Sequence, residues 1–580
     1  MRRLERPPRA PKSERAMEQK RFILAMSLIT VVFIIWQAVM GLGTEAPVPE
    51  EGAVVAEEGQ AASDDSAPGT QPAANEVAPD AQAQAQAQAE EAPVEAVEVE
   101  ERIDVLASDS LSVTLNNQGA VATDIKVTAP EQYANEGGDL LRSLDADAPA
   151  YPFTVRFKAE NVEVAPDAGY QVIEDLSELN EDGKTYSKLT YRYTDPRGRF
   201  SIDKVYEMVA DKPYVVDFDV VVHNRLKDVR LIDTLLVDVI NKDDPDRKSN
   251  FLDFRPDQLE AVCRTSDDIE RTLFEQLEET TTFSQVPTMW AGTDTRYFLI
   301  ATIPESGAEA CVFERLDGDY LRTNLTYEGF SIAPNERYVA SNLLYMGPKD
   351  YGVLKDTGYR LEESVDYGLL TVLARPLRAL LVLFFGFTGN WGIAIILLTL
   401  LIKLVSWPLT QKAYVSAERM KQIQPLIKEI REKYENDQQR LSEETMKVFR
   451  EHNVSPLGCL PMLLQMPILY GLFVMIYNSV ELYQADFLWY TDLSAPDPLF
   501  LLPLAMGAVM FIQQRLTMVE QANPQMAIMM KIMPIMFTAF MLFLPAGLVL
   551  YYLLNLILGL AQQYMIKRQF AAAEEADASA

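Results

Sequence analysis

The sequence predicts a multi-pass α-helical membrane protein that carries a large all-β sandwich domain outside the membrane. Long apolar runs dominate the chain after Glu362, short alternating segments fill residues 102–345, and an acidic tract of low complexity precedes both. The 580 residues are too many for one compact domain. The formal charge of −32 is unevenly placed, so each part of the chain is interpreted by itself.

Histidine and cysteine are scarce, which narrows the possible chemistry. The two histidines, His223 and His452, are far apart in the sequence, so histidine metal sites and Ser-His-Asp catalysis are nearly excluded. The three cysteines lack the short spacings of a structural zinc site. Cys263 and Cys311 can pair if their region lies outside the cytoplasm, and free buried thiols are the open alternative. We expect no metal and no cofactor.

A basic N-terminus, residues 1–21, precedes an apolar run at 22–42. At about 1.5 Å per residue, a helix of this length can cross the hydrocarbon core. A cleaved signal peptide is the alternative, but the run is longer than a usual signal-peptide core and no convincing A-x-A site follows it directly. We predict an uncleaved first anchor with its basic end in the cytoplasm.

Residues 43–101 form a linker rich in Ala, Pro, Glu and Gln, and no Lys or Arg occurs between 44 and 101. Such a composition buries too little apolar area to offset the entropy lost on ordering. We therefore predict a disordered spacer outside the membrane. A short helical or partner-binding segment within it is the alternative.

Residues 102–360 have the pattern of an antiparallel β-sandwich. Leu111, Val113 and Leu115 alternate with polar residues before a turn at 116–119. The clearest hairpin is KLTYRYT, then DPRG, then RFSIDKVYEMV, and the alternating run YVVDFDVVVHN follows it. The pattern near 267–279 predicts one helix. The acidic residues are scattered as on a solvated surface, so we expect a scaffold or partner surface and no catalytic site here.

The chain then enters the membrane region. At 361–388 an apolar run interrupted by Arg375, Pro376 and Arg378 is typical of an amphipathic helix that lies in the membrane interface. A core of five spans follows at 389–566, and the first anchor brings the predicted count to six transmembrane helices. The five spans are expected at 391–408, 457–480, 499–513, 526–544 and 547–563. The short third span of this core and the near absence of a loop at 545–547 predict a tight helical hairpin and a locally thin membrane.

Charge predicts the orientation of these spans. The connection at 411–456 is rich in Lys and Arg, whereas 479–498 has neither. The first connection is therefore cytoplasmic and the second is not. Six spans then place both termini, including the short tail 567–580, in the cytoplasm and the β-domain outside.

The cytoplasmic connection predicts a helical hairpin at 412–455. A first stripe at Ile427, Ile430 and Tyr434 begins soon after Pro425. A turn at 436–437 separates it from a weaker stripe, which comprises Leu441, Met446 and Phe449. The candidate contact residues on this hairpin are basic: Lys412, Arg419, Lys421, Lys428, Arg431 and Lys433. Two interpretations of this hairpin stay open: it is a surface that binds a partner, or it is a solvated linker.

The candidate site lies in GNWGIAIILLTLLIKLVSWPL, residues 389–409, whose single charge is Lys403. An ammonium in hydrocarbon costs about 2.5–3.5 kcal/mol even on insertion scales, so such a residue is a functional candidate. Spacings of four, three and four put Thr399, Lys403, Ser406 and Thr410 on one helical face. The alternative is that Lys403 snorkels towards an expected helix end at Pro408.

A second polar stripe occupies the last span. It consists of Tyr552, Asn555, Gly559 and Gln562. If the two stripes face each other, they line a groove that contains water. The alternative is that the stripes only form interhelical hydrogen bonds, worth about 0.6 kcal/mol each. Glu481 and Asp486 fall beyond the end of the second core span and the five spans hold no acid, so water or a transient guest must solvate Lys403.

Four segments carry a family resemblance: GNWGIAIILLTLLIKLVSWPLT, NVSPLGCLPMLLQMPILYGLF, SVELYQADFLWYTDLSAPDP and LPAGLVLYYLLNLILGLAQQ. In this order they resemble the core of the YidC family of bacterial membrane protein insertases. LTYRYTDPRG and its flanking strands resemble the periplasmic domain of the Gram-negative branch of that family.

The resemblance implies a monomeric insertase and chaperone of the inner membrane. It would act alone or with the Sec translocon on nascent membrane proteins, without ATP of its own. The family's groove, open to cytoplasm and lipid, holds one positive charge, which matches Lys403 where the branch typically has arginine. Lysine keeps that charge but lacks the planar fork of arginine. Thr399 and Tyr552 match groove positions, and residues 412–453 match the cytoplasmic hairpin.

The resemblance also implies the partners. The ribosome or the signal recognition machinery would meet the cytoplasmic loops, the bilayer would surround the core, and no nucleic acid binding of its own is expected. The short tail KRQFAAAEEADASA lacks the basic character that assists ribosome contact in some members, so we do not extend that role to it.

Two other functional classes fit the sequence less well. A transporter would use Lys403 as a counter-ion and predicts internal repeats, which these unequal spans do not show. An enzyme would need Lys403 and Ser406 as a Ser-Lys pair, but no oxyanion-hole motif accompanies them. We therefore expect no catalytic activity.

Overall fold

A computed structural model describes residues 99–579, with gaps at 135–138, 142–143, 145–147, 159–160, 181–182, 244–257, 278–279, 284–286, 306, 435–436, 453–459 and 518–523. The predicted basic N-terminus, the first anchor at 22–42 and the linker up to residue 98 lie outside the described residues. The described part falls within one structural unit.

Strands make up most of the β-domain. In the described ranges they are β1 Ile103–Ala107, β2 Leu111–Asn116, β3 Val121–Val127, β4 Val155–Phe157, β5 Gln171–Asn180, β6 Gly183–Thr194, β7 Phe200–Met208, β8 Val215–Asn224, β9 Leu231–Asp233, β10 Leu235–Lys242, β11 Glu260–Thr265, β12 Ile269–Leu273, β13 Thr281–Phe283, β14 Thr288–Asp294, β15 Phe298–Pro304, β16 Ala310–Leu316, β17 Tyr320–Thr326, β18 Phe330–Ile332 and β19 Arg337–Pro348.

These strands form a sandwich, as predicted. A twelve-stranded sheet has the order β12-β11-β14-β15-β19-β8-β7-β6-β1-β2-β3, with β5 on the free edge of β6. A five-stranded sheet, β13-β16-β17-β10-β4, packs through β10 and β17 against β14 and β15. Trp290 on β14 is fully buried between the layers. The alternation in β2 buries Leu111, Val113 and Leu115 on one face, which is the period-two pattern of a half-buried strand.

The predicted hairpin is confirmed as β6 and β7. Its turn is held by Asp195, whose carboxylate accepts hydrogen bonds from the Arg199 backbone N–H at 3.0 Å and from the Arg199 guanidinium at 2.9 Å. Gly198 has a φ of +68°, a conformation that favours glycine. The DPRG motif therefore fixes this turn by side-chain capping and backbone freedom together.

The prediction of a helix near 267–279 is wrong. The segment forms β12, which pairs antiparallel with β11 from Ile269↔Arg264 to Leu273↔Glu260, and then a short 3₁₀ turn at Phe274–Gln276. Cross-strand hydrogen bonds to β11 therefore outcompete the local helical pattern, because tertiary context overrides weak propensity.

Cys263 and Cys311 form a disulfide. Cys263 lies on β11 of the large sheet and Cys311 on β16 of the small sheet. The bond therefore joins the two layers of the sandwich, which resolves the alternative that the sequence left open.

Helices dominate the rest of the described chain. They are α1 Glu131–Ala134, α2 Tyr351–Thr357, α3 Thr371–Thr388, α4 Trp391–Gln422, α5 Gln424–Lys433, α6 Gln438–Glu451, α7 Leu460–Asn478, α8 Leu501–Thr517, α9 Pro524–Met541 and α10 Ala546–Ser579. Helix α1 belongs to the β-domain, and α2 connects that domain to α3.

The prediction that the helix ends at Pro408 is wrong, because α4 continues to Gln422. Nearby hydroxyls bond to backbone carbonyls around the proline: Ser406 Oγ donates to the Lys403 carbonyl at 3.2 Å, and Thr410 Oγ1 donates to the Ser406 carbonyl at 3.1 Å. Packing of α4 against α10 also supports the extension. Helix α4 thus reaches past the membrane segment into the predicted cytoplasmic hairpin, and α10 likewise continues through most of the predicted tail.

Three helical segments in the described chain are long and apolar enough to cross a membrane: Thr371–Thr388, Trp391–Gln422 and Ala546–Ala572. Shorter apolar segments occur at Leu501–Leu516 and Lys531–Met541. The predicted count of six spans is therefore not confirmed. By length and composition, α3, which we predicted to lie in the interface, meets the criterion for a span.

Helix α4 is the centre of the helical part. It packs against α3 and α10, and α10 packs in turn against α8. The break between α3 and α4 follows from Gly389, with a φ of +62°, and from Asn390, whose side chain accepts a hydrogen bond from the Ile393 N–H at 3.1 Å. This packing brings the two polar stripes of α4 and α10 face to face.

Candidate functional site

Lys403 reaches across from α4 to the backbone of α10. Its side chain is only 6% exposed. A Cβ placed on Gly559 would lie 3.5 Å from Lys403 Nζ, so the ammonium lies beside a residue that has no side chain. Helical spacing predicted both residues on polar stripes, and the structure brings them together.

Tyr414 and Gln513 meet Lys403 at the same glycine. The same Gly559 Cβ position lies 3.0 Å from Tyr414 Oη and 3.7 Å from Gln513 Nε2. Helices α4 and α8 thus contribute polar groups to one point on α10. We call Lys403, Tyr414, Gln513 and Gly559 the Lys403 cluster.

The described side chains that meet Lys403 at Gly559 are uncharged. The remaining members of its cluster are a phenol, an amide and a glycine, which leave the charge uncompensated. A buried ammonium without a counter-ion is stabilised only by hydrogen-bonding groups or water. Snorkelling requires the ammonium to lie at a helix end. The structure instead places the ammonium beside Gly559.

Thr399 and Ser406 lie on the same face of α4 but use their hydroxyls within the helix. Thr399 is buried, and its Oγ1 donates to the Ile395 carbonyl at 2.7 Å. Ser406 Oγ donates to the Lys403 carbonyl at 3.2 Å. Each oxygen keeps a free acceptor position, so these residues can offer acceptors to a guest but not free donors.

Tyr552 and Asn555 lie on α10, respectively two turns and one turn before Gly559. Both are half-buried. The Tyr552 ring packs 5.1 Å from the Phe537 ring of α9. In the described ranges neither residue makes a direct hydrogen bond with Lys403, so they extend the polar face of α10 rather than partner the charge.

A second polar contact lies two turns beyond Lys403. Thr410 Oγ1 lies 3.1 Å from both Gln562 Oε1 and the Ser406 carbonyl, which share its single O–H, and Gln562 Nε2 donates to Gln411 Oε1 at 3.3 Å. Gln562 is fully buried. This contact fits interhelical hydrogen bonding, which was the alternative interpretation of the stripes. The stripes therefore have two parts, a satisfied amide contact and an uncompensated charge.

Three polar residues near the two stripes were not predicted from the sequence: Tyr414, Gln513 and Gln411. Tyr414 follows Lys403 by eleven residues, which is about three helical turns, and therefore shares its face. That signal was hidden because the span was expected to end at Pro408. Gln513 marks the end of an apolar run on a different helix, and only tertiary packing shows that it faces Lys403.

The basic residues of the predicted hairpin do not form one group. Lys412, Lys428, Arg431 and Lys433 are exposed, whereas Arg419 is half-buried. Lys421 Nζ bonds to Glu418 Oε2 at 2.8 Å and to the Leu516 carbonyl at 2.7 Å. Lys421 therefore contacts the last turn of α8, where a cation is favourable, and acts as a structural tie.

The hairpin has a small core of its own. Ile423 and Val448 are buried, and the side chains packed against them are Met420, Ile427, Ile430 and Phe449. The weaker predicted stripe is partly wrong, because Met446 is 38% exposed and Val448 takes the inward position. Val448, which follows Met446 by two residues, packs on the face of α5 that carries Ile427 and Ile430.

Comparisons with known proteins follow the same division of the chain. The family described as "60Kd inner membrane protein" matches residues 383–574, and the family described as "YidC periplasmic domain" matches residues 103–380. A "Membrane protein insertase YidC" of Syntrophus aciditrophicus is 34% identical over 482 residues, covering 82% of this chain and 87% of the relative. That of Pelobacter propionicus is 31% identical over 565 residues, covering 95% and 99%.

A solved structure, "Active YidC insertase crystal structure with the first transmembrane domain resolved", is 19% identical with a TM-score of 0.37. It covers 81% of this chain and 96% of the solved chain.

Proposed function

Because the chain belongs to the YidC family of membrane protein insertases, we propose that it inserts hydrophobic segments of nascent proteins into the bacterial inner membrane through the Lys403 cluster. It is a membrane protein with a periplasmic domain at residues 103–380. The observation that carries the proposal is the buried, uncompensated Lys403 ammonium beside Gly559.

The cluster lowers the cost of moving a polar segment into the membrane. A charged side chain in an apolar span costs about 2.5–3.5 kcal/mol, and polar groups that cross hydrocarbon without partners cost several kcal/mol each. Lys403, Tyr414 and Gln513 offer donors to water or to a carboxylate or carbonyl of the guest. A guest's polar end can therefore leave bulk water in stages.

The guest's own apolar segment supplies the driving force. Burial of each CH₂ group in lipid is worth about 0.8 kcal/mol. No covalent step, cofactor or nucleotide is needed. Thr399, Ser406, Tyr552 and Asn555 extend the polar face along α4 and α10, and in this proposal they line the groove that the guest contacts.

The remaining parts receive proposed roles from the family. The cytoplasmic hairpin presents Lys412, Lys428, Arg431 and Lys433 to the ribosome, the signal recognition machinery or the Sec translocon. Both termini lie in the cytoplasm, and the protein works as a monomer, alone or with the Sec translocon, also as a chaperone for folding in the membrane. Residues 43–101 act as a spacer.

Photo-crosslinking tests this proposal. A photoreactive amino acid is placed at Asn555, at Ser406 and, as a control, at Leu404, which neighbours Lys403 but is 70% exposed on the outer face of the helices. Ribosome-bound chains of a small single-span substrate should crosslink at Asn555 and Ser406 and weakly at Leu404. Equal yields at all three positions would contradict a specific groove.

A further inference from the structure

The connection between α7 and α8 covers one end of the helices. We call residues 479–497 the periplasmic cap. Phe487 packs on Gly392 at the start of α4, where any side chain on the glycine would overlap its ring. The Ala546 N–H donates to the Ala495 carbonyl at 2.8 Å, and the Gly547 N–H donates to the Leu493 carbonyl at 2.9 Å. The cap is therefore attached to the first turns of both α4 and α10.

The cap also forms the start of α8. Asp497 is buried. Its carboxylate accepts hydrogen bonds from the backbone N–H groups of Leu499 at 3.0 Å and Leu502 at 2.8 Å, and from Tyr490 Oη at 3.1 Å. These bonds satisfy N–H groups at the helix start. The cap is thus a folded element that joins three helix ends.

One buried ion pair fastens the cap to α3. Arg378 Nη2 contacts Glu481 Oε1, and the two side chains are only 11% and 5% exposed. Asp350 lies 3.8 Å from the same guanidinium nitrogen. Neighbouring Arg375, on the same helix, is exposed. Arg378 and Glu481 therefore hold two elements together from a site that water barely reaches.

The β-domain contacts the cap at the same place. Gln132 on α1 donates through Nε2 to the Glu481 carbonyl at 3.0 Å. Arg296, between β14 and β15, donates through Nε to the Tyr477 carbonyl at 2.8 Å, next to the cap. The Tyr297 ring packs 4.7 Å from the Tyr483 ring. The β-domain therefore supports the cap residue that pairs with Arg378.

We propose that Arg378 and Glu481 are positioning residues that keep the periplasmic side of the helices closed, with Gln132 and Arg296 bracing the cap from the β-domain. The proposal rests on the proposed function, in which the guest contacts the groove at the Lys403 cluster. Trp391, where α4 begins under the cap, lies twelve residues before Lys403, or about 18 Å of helix. The closure is thus well separated from the Lys403 cluster.

The physical reason is the cost of an unpaired buried charge. Loss of Arg378 leaves Glu481 and Asp350 without their cation, and loss of Glu481 leaves Arg378 only the longer contact to Asp350. Either change favours a state in which water reaches the remaining charge. Movement of the cap away from α3 would expose Glu481 and Arg378, whose side chains are now only 5% and 11% exposed. Removal of either residue should therefore open the periplasmic side, and exchange of the two charges should close it again.

Side-specific thiol labelling tests this inference in the full-length protein. Thr399→Cys, on α4 between the cap and Lys403, is introduced together with Cys459→Ser, while Cys263 and Cys311 stay paired. A membrane-impermeant maleimide is applied from the periplasmic side of spheroplasts. Arg378→Ala and Glu481→Ala should each raise the labelling rate by at least about tenfold, which corresponds to about 1.4 kcal/mol.

The matched control is Arg375→Ala, which removes the same charge from the exposed face of α3 and should leave the labelling rate unchanged. The Arg378→Glu, Glu481→Arg double variant, made together with Asp350→Asn so that the new carboxylate does not face Asp350, should restore protection. The disulfide, seen by gel mobility without reductant, reports whether each variant folds. Unchanged labelling in both single variants, or a double variant as reactive as the singles, overturns the inference.

Insertion measured in cells that carry the same variants without Thr399→Cys separates this inference from the proposed function. If Lys403→Ala blocks insertion while the Arg378 and Glu481 variants stay protected from labelling, the Lys403 cluster stands and the cap assignment fails. If Lys403→Ala inserts normally, the proposed function fails whatever the labelling shows.

Discussion

Gly559→Leu should inactivate the protein by displacing the Lys403 ammonium, whereas Gly559→Ala should be tolerated. The alanine Cβ would lie 3.5 Å from Lys403 Nζ, an ordinary contact, and 3.0 Å from Tyr414 Oη. The tyrosine hydroxyl is the end of a long side chain and can shift by a few tenths of an ångström. Alanine also favours the helix by about 0.8–1 kcal/mol over glycine, so the net change in stability should be close to zero.

Leucine adds three more carbon atoms where the ammonium and the phenol now lie. Overpacking of this kind costs about 1–3 kcal/mol, and the simplest relief is movement of Lys403 away from α10. Insertion of a small single-span substrate should then fall to the level of Lys403→Ala. The assay depletes the native protein, supplies the variant, and scores insertion by protease accessibility.

Gly386→Leu is the matched control. Gly386 is also a helical glycine, on α3, but among the described residues nothing beyond its chain neighbours and its own helix backbone lies within 4 Å of a Cβ placed there. This variant should insert substrate as well as wild type does. A folded Gly559→Leu protein that inserts substrate normally would refute the claim that the ammonium must lie beside Gly559.

Three further predictions concern the β-domain. Lys204→Met should destabilise β7 by about 1–3 kcal/mol in hydrogen exchange, because it removes the donor that three backbone carbonyls now share at 2.7–3.2 Å; unchanged protection would contradict this. Burial, followed by the charge of Asp219, raises the pKa of Asp217 to about 6. The folded state therefore holds this proton more tightly, and stability falls as pH rises from about 4 to about 6. Asp217→Asn should stabilise β8 at pH 7 by about 1 kcal/mol, after discounting the shift for partial exposure, and should flatten the pH dependence of its hydrogen exchange; equal slopes in both proteins would refute it. Loss of the bond between Cys263 and Cys311, in a double Ser variant, should cost about 2–4 kcal/mol and speed proteolysis of the β-domain, and an unchanged cleavage rate would argue against that role.

Local patterns predicted the elements whose neighbours in sequence are also their neighbours in space. The hairpin of β6 and β7 follows from alternation and the DPRG turn, since Asp195 and Gly198 stabilise it within a few residues. The facing stripes of α4 and α10 follow from helical spacing, which brought Lys403 and Gly559 together. The spacing of residues along each strand and helix was enough to predict these contacts.

Long-range contacts produced the errors. The segment at 269–273 has a helical pattern but forms a strand because β11 offers it backbone partners. Pro408 does not end α4, because packing on α10 and nearby hydroxyl bonds support the helix. The pairing of Arg378 with Glu481 joins residues about a hundred positions apart, and no spacing rule relates them. Such contacts require the folded chain.

The central claim is that the positive charge at Lys403 is the working part of the site. The most direct test replaces the native protein with wild type, Lys403→Arg, Lys403→Ala or Lys403→Glu and measures insertion of a small single-span substrate by protease accessibility. We predict that arginine supports insertion and that alanine and glutamate do not, because only arginine keeps the cation. Insertion by Lys403→Ala equal to that of wild type would contradict the claim and would leave the polarity of the groove to Thr399, Tyr552 and Asn555.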